Sequence, residues 1–148
     1  MYKHIMLPVD GSELSLKAVG ECLAFAKSGG ARVTILNVVP HFSVHVTVGF
    51  SSDVVKELEK TREAEYRKAG EQMVAQLKAR AKDAGVDCDG IVVVGNSPYE
   101  EIIDNAEKHG CDLIMMASHG RRGLDAVLIG SETVKVLTHT RIPVLVVR

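Results

Sequence analysis

The residue types best suited to binding a phosphate group lie in a glycine-rich segment in the last third of the chain. Residues 117–123 read Ala-Ser-His-Gly-Arg-Arg-Gly, and Gly130 and Ser131 follow after a short apolar stretch. Glycine lets the backbone come close to a ligand, and a helix start offers unpaired N–H groups and the positive end of its dipole. The segment therefore predicts a cradle for a nucleotide or another polyphosphate.

The elements that would position this cradle can be predicted from its flanks. The apolar run 113–116 precedes it, and the helix-like stretch 132–138 follows it. A strand, a glycine-bearing loop and a helix start then succeed one another, which places the helix N-terminus beside the end of the strand.

The rest of the chain alternates strand-like and helix-like segments. Strands are predicted at residues 4–9, 32–39, 91–94, 111–117 and 142–147. Further helices are predicted at residues 14–27, at 53–84 with a bend at Gly70, and between Ser97-Pro98 and Gly110. Residues 41–52 show no clear period and are expected to form a loop.

This alternation predicts an α/β fold with a mostly parallel sheet and helices on both faces. Ligands in such sheets bind beyond the carboxyl ends of the strands, where the strand order reverses. The first and fourth strands end near Asp10 and Ala117. If these strands are neighbours, both following loops open onto one crevice. The fifth strand is so apolar that we expect both of its faces to be covered.

Composition limits the classes of function. The chain has 148 residues, 46% of them hydrophobic and 25% charged, which suits one globular domain over residues 1–148. Its net charge of −1 gives no reason to expect a nucleic acid or an anionic membrane as partner. No signal-peptide pattern is present, and the three cysteines are widely spaced, so we expect a cytoplasmic protein with reduced thiols.

At this point the chain resembles the universal stress protein family. The resemblance extends from the segment 5–12, Ile-Met-Leu-Pro-Val-Asp-Gly-Ser, to the apolar run 142–147. The family's nucleotide-binding pattern is Gly, two residues, Gly, nine residues, Gly, then Ser or Thr. Gly120, Gly130 and Ser131 match it, whereas Ala117 takes the place of the first glycine. The resemblance implies an open five-stranded Rossmann-like sheet in the order 3-2-1-4-5, ATP with Mg²⁺ as ligand, and a homodimer formed through Val144, Leu145 and Val146.

The resemblance also assigns roles to single residues. Those at the first two strand ends would border the adenine and ribose: Pro8, Val9, Asp10 and Val38. Those after the fourth strand would line the ribose-phosphate path, with one arginine gripping phosphate: Met116, Ala117, His119, Gly120 and Arg121. Those at the last helix start would supply amides and hydroxyls to the phosphates: Gly130, Ser131, Glu132 and Thr133.

Simpler roles compete with several of these assignments. Asp10 could cap the first helix together with Ser12, and the arginines after Gly120 could lie on a solvated loop. His119 follows Ser118 directly, but adjacency does not make a catalytic dyad. The carboxylate of Glu132 would repel phosphate unless it points away. We therefore expect a binding protein and not an enzyme, with slow ATP hydrolysis as a side activity.

Two other functions remain open from the sequence. One is a dimeric scaffold or chaperone-like interaction protein with a vestigial cradle, which Ala117 and Glu132 favour. The other is adenylyl transfer, against which the absence of typical motifs after the first strand argues.

Overall fold

The computed structural model describes residues 1–43, 51–120 and 129–148. Five strands alternate with four helices in these ranges. The strands are β1 His4–Pro8, β2 Arg32–Val39, β3 Cys88–Val94, β4 Leu113–Ala117 and β5 Val144–Val147. The helices are α1 Glu13–Gly29, α2 Ser52–Asp83, α3 Pro98–Lys108 and α4 Ser131–His139.

The strands form one parallel sheet in the order β3-β2-β1-β4-β5. This confirms the predicted α/β fold and strand order. The register places Ile5 beside Val33 on one side and beside Leu113 on the other, so β1 and β4 are direct neighbours. The chain crosses from β1 to β2 in one direction and reaches β4 and β5 in the other.

The core has two layers because the central strands bury side chains on both faces. On one face, Ile5 and Leu7 pack with α1 residues such as Val19 and with α2 residues such as Leu77. On the other face, Met6 packs with Ile102 of α3 and with α4. Alternating side chains of one strand thus enter opposite layers, as expected for a sheet covered on both sides.

Local sequence explains most of the helix ends. Ser12 caps α1, because its hydroxyl accepts a hydrogen bond from the Ser15 amide at 3.2 Å. Pro98 occupies the first turn of α3, where its missing N–H costs nothing. Gly30 and Gly85 follow α1 and α2 with φ of 65° and 75°, conformations that favour glycine.

Three strand starts and the expected covering of β5 were predicted wrongly. β3 begins at Cys88 and not at residue 91, β4 begins at Leu113 and not at 111, and β5 begins at Val144 and not at 142. Gly70, where a bend was expected, lies within α2, which is one helix of 32 residues. Contrary to expectation, β5 is not covered on both faces, since Leu145 is 40% exposed. Among the residues described, no helix is long and apolar enough to span a membrane.

Candidate functional site

The candidate site is the crevice beyond the carboxyl ends of β1 and β4, where the strand order reverses. β1 pairs with β4, while β2 and β5 lie on their outer sides. In open α/β sheets this is the place where ligands bind. The two loops that the sequence predicted to share a crevice therefore leave adjacent strands.

The end of β1 is fixed by hydrogen bonds on both sides. The Val9 amide donates to the Leu36 carbonyl oxygen at 2.8 Å, and the Val9 carbonyl accepts from the buried Asn37 side chain at 2.8 Å. Asp10 Oδ1 accepts from the Ser12 amide at 2.9 Å. The carboxylate of Asp10 therefore supports the turn that leads into α1, whereas the helix itself is capped by Ser12, and Asp10 also lies at the crevice.

Gly120 brings the loop after β4 against the loop after β1. A Cβ atom at this position would collide with Asp10 Oδ2, which lies directly over the Gly120 backbone. Only glycine fits this approach without a shift of Asp10. The contact shows that Asp10 and Gly120 border the same crevice.

The start of α4 is attached to the end of β4 by two hydrogen bonds. The Gly130 amide donates to the Ser118 carbonyl oxygen at 2.8 Å, and the Thr133 hydroxyl donates to the Ala117 carbonyl oxygen at 3.1 Å. Gly130 is the N-cap residue and offers no side chain to cap the helix. The amides of the first turn, from Ser131 to Thr133, have no carbonyl partner within the helix.

Close packing also favours glycine at position 130. Its φ of −61° is open to any residue, but a Cβ atom would lie 3.0 Å from both the Cα and the Cβ of His119. The glycine thus allows α4 to begin directly against the loop after β4. Both glycines of the pattern, Gly120 and Gly130, serve close approach and not positive φ.

Ala117 is an ordinary strand residue, although it stands where the family pattern has glycine. It is the last residue of β4, it is buried, and it pairs with Val147 of β5. Extended backbone accommodates a Cβ atom, so alanine does not distort the strand. The structure thus removes the conformational objection to Ala117.

The Glu132 carboxylate contacts the start of α3 and a lysine of its own helix. Its Oε2 accepts a hydrogen bond from the Tyr99 amide at 3.0 Å, in the first turn of α3, and its Oε1 lies 2.8 Å from Lys135 Nζ. The carboxylate therefore caps a neighbouring helix and has a cationic partner. From the sequence, the Glu132 carboxylate was expected to repel phosphate unless it points away.

Ser118 and His119 contact each other but do not form an evident catalytic pair. Ser118 Oγ lies 3.1 Å from His119 Nδ1. Ser118 is buried, its amide donates to the Val147 carbonyl oxygen at 2.7 Å, and its carbonyl accepts from Gly130. A serine so placed supports the junction of β4, β5 and α4.

The remaining assigned residues have clear positions. Pro8 ends β1, and Val38 lies one residue before the end of β2, both half-buried. Met116 is buried in β4 among the residues that face α3 and α4. Arg121 lies outside the described residues. No cluster of three His, Cys, Asp or Glu side chains that could hold a metal ion occurs in the described part of the chain.

Asn37 supports the end of β1 beside the candidate site, a role that the sequence did not reveal. Its amide group holds the Val9 carbonyl, and its Oδ1 lies directly against Gly70 of α2, where a Cβ atom would collide with it. Gly70, predicted as a bend, therefore lets α2 pack over Asn37. A polar residue inside a predicted buried strand was the only available signal.

The comparisons with known proteins agree with this architecture. The model of the universal stress protein family matches residues 1–148, and the chain belongs to that family. Universal stress protein MJ0577 of Methanocaldococcus jannaschii is 33% identical over 100% of this chain and 96% of its own length. Its solved structure superposes with a TM-score of 0.85, covering 99% of this chain and 96% of that one.

Two family structures with nucleotides share the fold at lower identity. A universal stress protein in complex with cAMP is 24% identical, with a TM-score of 0.69, and covers 99% of this chain and 97% of its own. A family member from Arabidopsis thaliana with AMP bound is 17% identical, with a TM-score of 0.66 and coverage of 98% and 90%.

Proposed function

We propose that this protein binds adenine nucleotides, with ATP and Mg²⁺ as the ligand, in the crevice between the loops after β1 and β4. Nucleotide binding would act as a switch on a homodimer in the cytoplasm, in response to stress. Binding and not catalysis is the proposed activity, with slow ATP hydrolysis as a side reaction.

The observation that carries the proposal is the uncapped start of α4 at this crevice. First-turn amides with no helical partner attract anions, and the helix dipole adds to the attraction. Gly120 and Gly130 keep side chains out of the space where the two loops and α4 meet. An adenine nucleotide combines a phosphate chain for these amides with a flat base that suits the strand ends near Pro8 and Val38. Family members with cAMP and AMP bound support the choice of adenine.

The residues present also fit a magnesium-bound phosphate chain. Magnesium keeps several water ligands and typically takes one or two carboxylates together with phosphate oxygens. Asp10 is the carboxylate that borders the crevice beside Gly120. When bound, the ion would neutralise part of the phosphate charge, while Asp10 would hold its water shell.

A matched pair of serines tests the proposal. Ser131 and Ser52 are both exposed and are the first residues of α4 and α2. Aspartate at this position suits the helix dipole in either helix, so both Ser131→Asp and Ser52→Asp should fold normally. Isothermal titration calorimetry with ATP and Mg²⁺ should show micromolar binding to the wild type and to Ser52→Asp. Binding to Ser131→Asp should be at least about tenfold weaker, because a carboxylate then faces the phosphates. Equal binding by all three proteins would contradict the proposed site.

The proposed homodimer rests on the edge of the sheet formed by β5. Leu145 is exposed there, and Val144 and Val146 are only half-buried. On α4, which packs Val136 into the same core layer as Val144, two further apolar side chains are exposed: Val134 and Leu137. An apolar strand edge of this kind pairs readily with a second strand.

Sedimentation equilibrium tests the dimer with a matched variant. Leu145→Lys should shift the protein to monomer, because it buries a charge in the proposed contact. Leu58→Lys, at a similarly exposed leucine of α2, should leave the dimer unchanged. A wild-type monomer at micromolar concentration would refute the dimer without affecting the nucleotide site.

The second candidate function is a dimeric scaffold that binds proteins and no nucleotide. The exposed apolar side chains of α4 and β5 favour it, since they require no ligand. A stripped wild-type protein that forms the dimer but binds no ATP would support this function over the first.

A further inference from the structure

Glu132 and Lys135 form an ion pair in the first turns of α4, next to the proposed phosphate cradle. The carboxylate and ammonium groups are 2.8 Å apart, and both side chains are partly exposed. Glu132 is the second residue of α4. A carboxylate at this position favours the helix but opposes an anion bound to the same amides.

The direction of the Glu132 side chain is set by α3. Ser97, the N-cap residue of α3, makes no side-chain capping hydrogen bond. Glu132 supplies the missing acceptor from another helix, since its Oε2 takes the Tyr99 amide proton at 3.0 Å. The start of α3 thereby fixes the position of the carboxylate.

Lys135 is held in turn by two partners. Its ammonium group contacts Glu132 and lies 5.3 Å from the centre of the Tyr99 ring, within the range of a cation–π interaction. The Tyr99 ring also packs against His139, with 5.1 Å between ring centres. The cation is therefore positioned to balance the Glu132 charge near the start of α4.

We propose that the Glu132–Lys135 pair determines how the cradle discriminates between nucleoside triphosphates and monophosphates. This inference rests on the proposed nucleotide site. The carboxylate opposes negative charge at the α4 amides, and the ammonium group offsets that opposition. ATP carries roughly twice the negative charge of AMP, so the balance acts more strongly on ATP. Glu132 and Lys135 are thus specificity-determining residues that need not touch the nucleotide.

Four proteins separate the two charges: the wild type, Glu132→Gln, Lys135→Met and the double variant. The glutamine carbonyl can still accept the Tyr99 amide proton, so Glu132→Gln retains the α3 cap. Two charge-matched controls lie at the far end of α3, at the exposed residues Glu107 and Lys108. These controls are Glu107→Gln and Lys108→Met.

Calorimetric titration with ATP and with AMP gives the ratio of the two affinities for each protein, both without Mg²⁺ so that phosphate charge is unmasked. Glu132→Gln should raise the preference for ATP by about three- to tenfold, and Lys135→Met should lower it by a similar factor. The double variant should return near the wild-type ratio, and the controls should not change it. These changes in the ATP-to-AMP affinity ratio should become smaller as salt is raised from about 0.05 to 0.5 M, because screening weakens charge effects at partly exposed groups.

The outcomes separate this inference from the proposed function. Binding of both nucleotides with the same ATP-to-AMP ratio in all variants would overturn the role of the pair and leave the nucleotide site standing. A change in the ratio that does not respond to salt would overturn it as well, because it would indicate a loss of packing. Failure of the wild type to bind either nucleotide, both without Mg²⁺ and after Mg²⁺ is restored, would contradict the site, and the inference with it.

Discussion

The two ends of the sheet close in different ways. At the amino ends of the strands, side chains of β1 and β2 and residues next to them fill the edge with paired polar groups. His4 Nε2 lies 2.7 Å from Thr34 Oγ1, His4 Nδ1 lies 3.1 Å from Arg32, and Asp112 accepts from the Lys3 and His4 amides at 2.8–2.9 Å. At the carboxyl ends, glycines and uncapped helix amides occupy the corresponding place.

The hydrogen bonds at the amino end fix the tautomer of the His4 ring. Arginine can only donate, so Nδ1 of His4 must accept from Arg32, and the proton on Nε2 is donated to Thr34. His4 is buried, and every polar atom of its ring is used. This end is satisfied internally, whereas the other end has donors available for a ligand. We infer that the amino end serves stability and the carboxyl end serves binding.

The largest effect should come from a glycine substitution at the carboxyl end. Gly120→Val places a branched side chain against Asp10 and into the crevice. Nucleotide affinity should fall by at least about 30-fold, which corresponds to about 2 kcal/mol. Gly110→Asn, at the turn before β4, provides the control. Its φ of 66° suits asparagine and a Cβ atom there meets nothing within 4 Å, so binding should be retained. Calorimetry checks both variants. Retained affinity in Gly120→Val would contradict the inference that the carboxyl end of the sheet binds the nucleotide.

A pH-dependent stability should appear at the amino end. Burial, followed by the Arg32 charge, holds the pKa of His4 below its usual 6.5, while a hydrogen bond to the His109 backbone and the Asp112 charge act in the opposite direction. The unfolded chain therefore takes up a proton near pH 6.5 before the folded protein does. The contribution of His4 to the free energy of unfolding is present above about pH 6.5. It is lost as the pH falls toward the pKa of His4 in the folded protein.

Urea unfolding at pH 7.5 and pH 5.5 measures this contribution. The free energy of unfolding of the wild type should fall from pH 7.5 to pH 5.5, and that of His4→Gln should fall less. Hydrogen bonds from Lys3 and His4 lower the pKa of Asp112 against its own burial, but that group acts only at more acidic pH. His4→Ala should cost about 1–3 kcal/mol at pH 7.5, since it leaves Thr34 and Arg32 without a partner. An equal pH slope in the wild type and His4→Gln would rule out His4 as the source.

Two buried threonines provide the smallest and most closely matched test. The Thr34 hydroxyl bonds to His4, and the Thr133 hydroxyl bonds to the Ala117 carbonyl oxygen. Replacement by valine keeps the shape and removes one hydrogen bond, which costs about 1 kcal/mol at either site. Thr34→Val should leave nucleotide affinity unchanged. Thr133→Val should lower it several-fold, because α4 loses one of the two hydrogen bonds that attach its start to the end of β4. Lowered nucleotide affinity in Thr34→Val and unchanged affinity in Thr133→Val would contradict the assignment of stability to the amino end and of binding to the carboxyl end.

Sequence patterns were sufficient for the order and type of elements because each strand and helix carries its own signal. β2 is a β-branched apolar run, and α3 begins with Ser97 and Pro98. β3 was predicted too short because Asp89 and Gly90 interrupt the apolar pattern, although their backbones pair with β2. There, pairing with a neighbour overrides local propensity.

The candidate site was predictable where the signal is local and not where it depends on distant partners. Gly120, Gly130 and Asp10 were identified from motif and position. The bond from Asn37 to Val9 spans 28 residues, and that from Tyr99 to Glu132 spans 33. His4 and Arg32 are likewise 28 residues apart. No periodicity records such contacts, because they arise only when the strands and helices pack.

The central claim is that the start of α4 and the adjoining loops bind the nucleotide. Two-dimensional ¹H–¹⁵N NMR of the stripped protein, titrated with ATP and Mg²⁺, tests it at single amides. The largest shifts are expected at Gly120 and from Gly130 to Thr133, with a smaller change at Asp10. The starts of α2 and α3, near Ser52 and Tyr99, should change much less. Shifts confined to other helix starts, or none at saturating ATP, would contradict the account.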